Sequence, residues 1–354
     1  MVRAVALFSG GLDSTLAILT VLKQDIKVKA ITFLTYFGCD ISDRSSCSKN
    51  PFPVAEKFGF EVKLCHLSDK FIEIVKNPEF GHGKNMNPCI DCRILMLKEA
   101  REFMEMAGAD FIVTGEVLGQ RPMSQRRDTF NVIDREAGVT GYVLRPLSAK
   151  LLKVTIPEAR GIINREMLYD FSGRSRRPQM ALAREFGLTD YPAPAGGCPL
   201  TDPNYSYRLS DLLRHNPNPS LNELHLLRVG RHFRVSPSCK VIIGRDKEEN
   251  SRIESLSNGY DYLLKVENAG SPITLLSGER AENFLSLAAS LCARYSDAKN
   301  LSEVAVTVIN GGNSYILRVP PADDNMIALY RIEKKERVTA LQELPLTSDI
   351  LLPL

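Results

Sequence analysis

Phe8-Ser9-Gly10-Gly11-Leu12-Asp13-Ser14 follows directly on the apolar run Val5-Ala6-Leu7, and this order decides the fold. A short buried strand feeds a glycine pair, and the pattern predicts a helix from Thr15 onward. Such a turn suits an anion. Glycines let backbone N–H groups close around a phosphate, and the positive end of the next helix points at the same spot. Ser9 and Ser14 add hydroxyl donors, and Asp13 is placed to hold a cation that balances the phosphate charge. The loop is not a Walker A, because the spacing differs and the Lys is missing. A plain glycine turn from strand to helix is the simpler reading, but it does not require the serines or the acid.

Outward from the loop, strands and helices alternate. Residues 3–8 read as strand one and 15–23 as a helix, with strand two over 28–36. A short helix over 53–59, a third strand over 61–67, a long helix over 90–107 and a strand over 111–117 follow. Apolar runs alternating with helices of this length predict an α/β fold, a parallel sheet with helices on both faces. Ligands of such sheets bind at the carboxyl ends of the strands. That places Thr32-Phe33 to flank an adenine, with plain core packing the equal alternative for Phe33.

The chain has 354 residues, 44% hydrophobic and 25% charged, which allows two ordinary globular domains. A net charge of +3 selects no partner. No secretory signal fits the first residues and no apolar run approaches membrane length, so a reducing cytoplasm and no membrane partner are expected. The eight cysteines then read as thiols, metal ligands or redox groups before disulfides. Asn87-Pro88-Cys89-Ile90-Asp91-Cys92-Arg93 opens the long helix, where two cysteines can hold one metal and the helix start lowers a thiol pKa. Cys198, in Ala195-Gly196-Gly197-Cys198-Pro199-Leu200, lies where backbone can approach closely. Two cysteines plus one suit an iron–sulfur cluster with an open iron better than a closed zinc site, so Cys89, Cys92 and Cys198 are the candidate metal ligands. Cys39 and Cys47 can complete a zinc site or form a redox pair. Cys65, Cys239 and Cys292 read as small buried hydrophobes.

The Ser9–Ser14 loop resembles the pyrophosphate loop of enzymes that cleave ATP between its α and β phosphates. With the cysteine pair, Thr114-Gly115-Glu116-Val117-Leu118-Gly119-Gln120, Ser124-Gln125 and Leu144-Arg145-Pro146-Leu147, residues 2–205 resemble the tRNA 4-thiouridine synthetases. The paired and single cysteines resemble related tRNA thiolation enzymes that carry a cluster on three cysteines. The resemblance implies an adenine nucleotide α-hydrolase-like domain over 1–205, with ATP and Mg²⁺. It implies ATP contacts at Leu7, Phe8, Ser9, Gly10, Gly11, Leu12, Asp13, Ser14, Thr32, Phe33, Arg93, Gly115 and Gln125. The tRNA-binding module that usually precedes this domain is not expected, since strand one begins at the N-terminus.

A proline-rich linker over 206–220 leads to a second, smaller α+β domain over 221–354. Helices are expected over 207–214, 221–234 and 279–294, and strands over 240–244, 260–266, 304–309 and 315–319. Val229-Gly230-Arg231 and Val241-Ile242-Ile243-Gly244-Arg245 resemble an NFACT-type RNA-binding domain. Arg228, Arg231 and Arg234 there, and Arg121, Arg126, Arg127, Arg174, Arg176 and Arg177 in the first domain, can neutralise an RNA backbone. Solvated surface arginines, or the basic face of a homodimerising or structural domain, are the competing reading.

Together these imply a tRNA thiolation in which a uracil oxygen attacks the α-phosphorus of ATP and sulfide then displaces AMP. Asp13 holds Mg²⁺. A [4Fe-4S] cluster carries the sulfide, or Cys198 carries a persulfide resolved by Cys89 or Cys92, and an external sulfur donor supplies it. Two alternatives stand: a small-molecule ATP pyrophosphatase of the amide ligase or deazaguanine nitrile synthase type, and a non-enzymatic RNA-binding protein.

Overall fold

The computed structural model describes residues 3–37, 50–191 and 198–333; Cys39 and Cys47 lie outside them. Contacts divide the chain into two compact units, 1–206 with 218–225, and 207–217 with 226–354.

In the first unit the elements are β1 (Arg3–Leu7), α1 (Leu12–Leu22), β2 (Lys27–Leu34), α2 (Phe52–Phe58), β3 (Glu61–His66) and α3 (Ser68–Lys76). Then come α4 (Cys89–Ala107), β4 (Phe111–Thr114), α5 (Arg127–Glu136), β5 (Val143–Leu144), α6 (Ile156–Ala159) and α7 (Arg177–Glu185). All strands pair in parallel in the order β3-β2-β1-β4-β5. β1 is buried along almost its whole length, which is why it reads as an unbroken apolar run. Ala4, Ala6 and Phe8 pack on Ala17, Ile18 and Val21 of α1. The other side of α1, Leu12 and Leu16, packs on Leu182 and Ala183 of α7. The strand order reverses between β1 and β4, so the loop after β1 lies at the switch point where such sheets open a crevice. α1 begins at Leu12, three residues before the expected Thr15, because Gly11 already acts as its N-cap.

The chain continues through α8 (Pro203–His215), α9 (Leu221–Leu226), β6 (Arg231–Arg234), β7 (Cys239–Ile243), α10 (Lys247–Leu256) and β8 (Tyr262–Val266). It ends with β9 (Thr274–Gly278), α11 (Leu285–Arg294), β10 (Val304–Asn310), β11 (Asn313–Val319) and α12 (Asp324–Tyr330). Six strands form an antiparallel sheet in the order β11-β10-β8-β9-β7-β6, and α11 closes the core over one face through Leu285, Ala288, Ala289 and Cys292. The helix expected over 221–234 is not formed: α9 stops at Leu226 and 231–234 is a strand. Gly230 causes the break. Its φ is +73°, and a β-carbon there would lie 2.7 Å from the Ile243 carbonyl oxygen, so the chain turns into pairing with β7.

His232 on β6 is fully buried, with Nε2 bonded to the Val229 carbonyl at 2.8 Å. Burial, then the Lys240 and Arg208 charges, hold its pKa well below the ordinary 6.5. The unfolded chain takes up a proton near 6.5 and the folded unit does not. Stability from this group is complete above about pH 6.5 and declines as pH falls, by up to about 1.4 kcal/mol per pH unit. Urea titrations at falling pH should show that decline, and His232→Gln should flatten it. An unchanged slope in the variant excludes His232 as the source.

Candidate nucleotide and thiol site

β1 carries Leu7 and Phe8 to the sheet edge, where both side chains turn into the core; Phe8 meets Phe60 edge-on at 5.4 Å. What they offer a ligand is main chain. Ser9 is exposed and Gly10 turns at φ +70°. No side chain caps α1, so its first N–H groups keep their capacity for an anion. Ser14 Oγ stands 3.2 Å from Ser9 Oγ and donates to the Gly11 carbonyl at 3.0 Å, which braces the turn. Leu12 is a core anchor between α1 and α7.

Asp13 Oδ2 accepts a hydrogen bond from Gln120 Nε2 at 3.0 Å, while Oδ1 is buried with no hydrogen-bond partner. Burial raises the Asp13 pKa, against Gln120, Arg176 and Arg121, which favour the carboxylate. A half-satisfied carboxylate beside an uncapped helix start is a donor set that a divalent cation on a phosphate completes. The residues present therefore fit Mg²⁺ carried on a nucleotide phosphate.

Gly115 follows β4 and presses on the start of α1: a β-carbon there would lie 2.5 Å from Ser14 N and Cα. Thr32 is fully buried and donates to the Phe8 carbonyl at 2.8 Å, so its hydroxyl joins β2 to the end of β1. Phe33 is buried beside Cys65 in the β2–β3 register. Gln125 is buried, its main-chain carbonyl taken by Gly119 N–H at 2.6 Å and its amide oxygen without a hydrogen-bond partner.

The Thr114-Gly115-Glu116 and Leu144-Arg145-Pro146-Leu147 stretches meet in space. Arg145 is buried and donates to Glu116 at 3.0 Å and, as a fork, to Asp134 at 2.9 and 2.7 Å. Its guanidinium lies 4.0 Å from the Phe130 ring centre. Arg93 Nε stands 3.6 Å from the other Glu116 oxygen. Glu116 is thus part of a buried ionic frame behind the loop.

Cys89 opens α4, and Asn87 Nδ2 donates to its sulfur at 2.8 Å. The expected lowering of the thiol pKa is overturned: burial raises it, outweighing Arg93, Arg121 and the Asn87 bond. Asn87→Ala removes a donor that favours the thiolate, so Cys89 alkylation by iodoacetamide near neutral pH should slow by roughly 3- to 10-fold. An unchanged rate would show that Asn87 has no hold on the thiol. The Cys198 carbonyl accepts from the Thr201 N–H at 2.8 Å and hydroxyl at 2.7 Å, and the Thr201 carbonyl accepts from Asn85 Nδ2 at 2.7 Å. The loop before Cys89 and the turn after Cys198 are thereby tied together. Yet among the described residues no three His, Cys, Asp or Glu side chains converge as a metal site. Cys89, Cys92 and Cys198, each half-buried, are therefore not gathered as the expected cluster would need. Cys239 and Cys292 are buried as expected while Cys65 on β3 is only half-buried, and burial pushes the Cys292 thiol up to about 11.

The arginines divide by environment. Arg126 is exposed with Asp128 at 3.4 Å, and Arg127 donates to the Leu151 carbonyl at 2.8 Å. Arg174 and Arg177 are exposed, while Arg176 is half-buried near Asp13. Arg121 is exposed and acts on both Asp13 and Cys89. In the second unit Arg228 is half-buried, Arg231 lies over the Tyr295 ring at 4.6 Å, and Arg234 is held by Asp211 at 2.5 Å. Gln120, Asn87 and Asp134 were not singled out from sequence. Gln120 had a signal, since it closes the Thr114–Gln120 stretch; Asn87 and Asp134 had none beyond position.

Residues 2–166 match the family described as thiamine biosynthesis protein (ThiI), and residues 230–331 match the NFACT protein RNA binding domain. A tRNA-specific 2-thiouridylase MnmA of Pseudomonas syringae pv. syringae is 21% identical over 293 residues, covering 77% of this chain and 76% of the relative. A probable tRNA sulfurtransferase of Lysinibacillus sphaericus is 30% identical over 163 residues, covering 45% of this chain but only 38% of the relative. A solved 4-thiouridine synthetase–RNA complex with bound ATP is 22% identical, with a TM-score of 0.34 and 54% of each chain covered. Residues 2–166 are thus similar to a ThiI-type PP-loop domain and residues 230–331 to an NFACT-type RNA-binding domain.

Proposed function

We propose that this chain is an ATP-dependent tRNA thiolation enzyme that activates a uracil carbonyl by adenylation and replaces its oxygen with sulfur. The observation that carries the reading is the segment 120–123, which touches both places: Gln120 donates to Asp13 of the phosphate loop at 3.0 Å, and a β-carbon at Gly83, in the loop before Cys89, would lie 2.6 Å from the Met123 sulfur. Nucleotide and sulfur chemistry thus share one rim of the first unit. The α1 N–H groups and the exposed Ser9 hydroxyl bind phosphate, and Asp13, with one oxygen unpartnered, holds Mg²⁺. The metal supplies neutralisation of the phosphate charge. The uracil oxygen attacks the α-phosphorus, the bond to pyrophosphate breaks, and an adenylated base results.

Sulfur delivery runs through thiols of this chain. A persulfide-bearing donor charges Cys198, and the terminal sulfur attacks the activated carbon as AMP leaves. The mixed disulfide is opened by the Cys89 thiolate, which releases the thiolated base and leaves a Cys89–Cys198 disulfide. An external dithiol reduces that disulfide. The tie from Asn85 to Thr201 supports this pairing, because it joins the two loops that bear these cysteines. The RNA-binding domain supplies hold on tRNA, and no described helix is long and apolar enough to cross a membrane.

The test incubates the protein with unmodified tRNA, ATP, Mg²⁺ and a persulfide donor, then digests the RNA for mass spectrometry. One new thiolated nucleoside with matching AMP is expected. AMP formed without RNA points to a small-molecule ligase, and RNA binding without AMP to a non-enzymatic protein; either outcome overturns the proposal.

A further inference from the structure

We propose that Arg176 belongs to the nucleotide site, where its guanidinium binds the β- and γ-phosphates that depart as pyrophosphate, and not to an RNA path. The inference rests on the nucleotide reading above and adds a ligand to it from a distant part of the chain.

Two fixed points hold Arg176 in place. Leu118 forms a parallel bridge with Ser172, and Gly173 N–H donates to the Leu118 carbonyl at 2.8 Å. The segment before Arg176 therefore runs beside 118–119, and the next residue, Gln120, is the one that reaches Asp13 at 3.0 Å. On its other side Arg176 is the N-cap of α7, whose Leu182 and Ala183 pack on Leu12 and Leu16 of α1. The chain between these points has little choice but to pass the mouth of the phosphate loop.

The polar groups there are incomplete. Arg176 Nε and Asp13 Oδ1 are both buried with no hydrogen-bond partner. Gln179, one turn into α7, is 1% exposed and its amide oxygen also lacks a partner. Native interiors seldom leave such groups unsatisfied, and Asp13 Oδ1 with Arg176 Nε are what a bound polyanion and its cation would complete. The guanidinium fork suits two phosphate oxygens at once. A cation on Asp13 would take up the carboxylate charge and leave Arg176 to the phosphates. Arg174 and Arg177 on either side are exposed, as RNA-facing groups would be, and Arg176 is not.

The test measures ATP, AMP and tRNA binding by calorimetry and filter retention, with Mg²⁺ present, for the full chain and for Arg176→Ala and Arg176→Lys. Arg176→Ala should weaken ATP by roughly 10- to 100-fold, leave AMP unchanged because it lacks the departing phosphates, and leave tRNA unchanged. Arg176→Lys should recover part of the ATP affinity by restoring the charge without the fork. Retained ATP affinity with weaker tRNA binding overturns the proposal in favour of an RNA contact. Equal loss of ATP and AMP in both variants overturns it in favour of a structural role. A wild-type chain that binds no ATP ends the nucleotide reading itself, which is a separate failure.

Discussion

Gly115→Ala is expected to reduce ATP-to-AMP turnover by at least about 100-fold, the consequence of displacing the reacting groups by around 1 Å. The added β-carbon falls 2.5 Å from Ser14 N and Cα and 2.6 Å from the Asp13 carbonyl carbon. These are backbone atoms in the first turn of α1, and no rotamer can move them aside. Either β4 or the start of α1 must shift, and the N–H groups that form the phosphate cradle shift with it. The same overpacking should cost about 1–3 kcal/mol of stability. A melting curve and an AMP assay on one preparation separate the two effects. Wild-type turnover at an unchanged melting temperature would mean that β4 does not press on α1 as described.

Arg145→Met is expected to be the most destabilising single change, at about 3–5 kcal/mol. It removes the fork on Asp134 and the shortest ion pair of Glu116, which keeps only Arg93 at 3.6 Å, and leaves two carboxylates in an interior that hydrates them poorly. Because the stranded carboxyls would resist ionisation in the folded state, the variant should regain stability as pH is lowered toward about 4. Adding Glu116→Gln and Asp134→Asn should restore part of the loss, since the three side chains act as one set. Denaturant midpoints of the four chains measure this. Losses that simply add would show that no shared frame exists.

Much of the first unit could be read along the chain. The phosphate loop is local: its glycines, its serines and the helix start that serves it are neighbours in sequence, so the order of residues carries the geometry. The parallel sheet is legible for a similar reason, because strands covered on both faces are unbroken apolar runs. β5, with two residues, is too short to leave a period, and the helix expected over 221–234 failed at Gly230, whose required turn is set by Ile243 on another strand. The same division runs through the site. The sequence places a thiol at a helix start, yet its ionisation follows burial, which raises the Cys89 pKa despite the helix start.

Residue order alone was enough to yield an anion-binding loop on a parallel sheet, and a second domain of mixed helix and strand. It could not say that Gln120 reaches Asp13, that Arg145 binds Glu116 and Asp134 together, or that Asn87 bonds the Cys89 sulfur. Those facts depend on how far water and charge lie from a given atom, and that distance is fixed by segments such as 118–120 and 172–176, which meet only when the chain is folded.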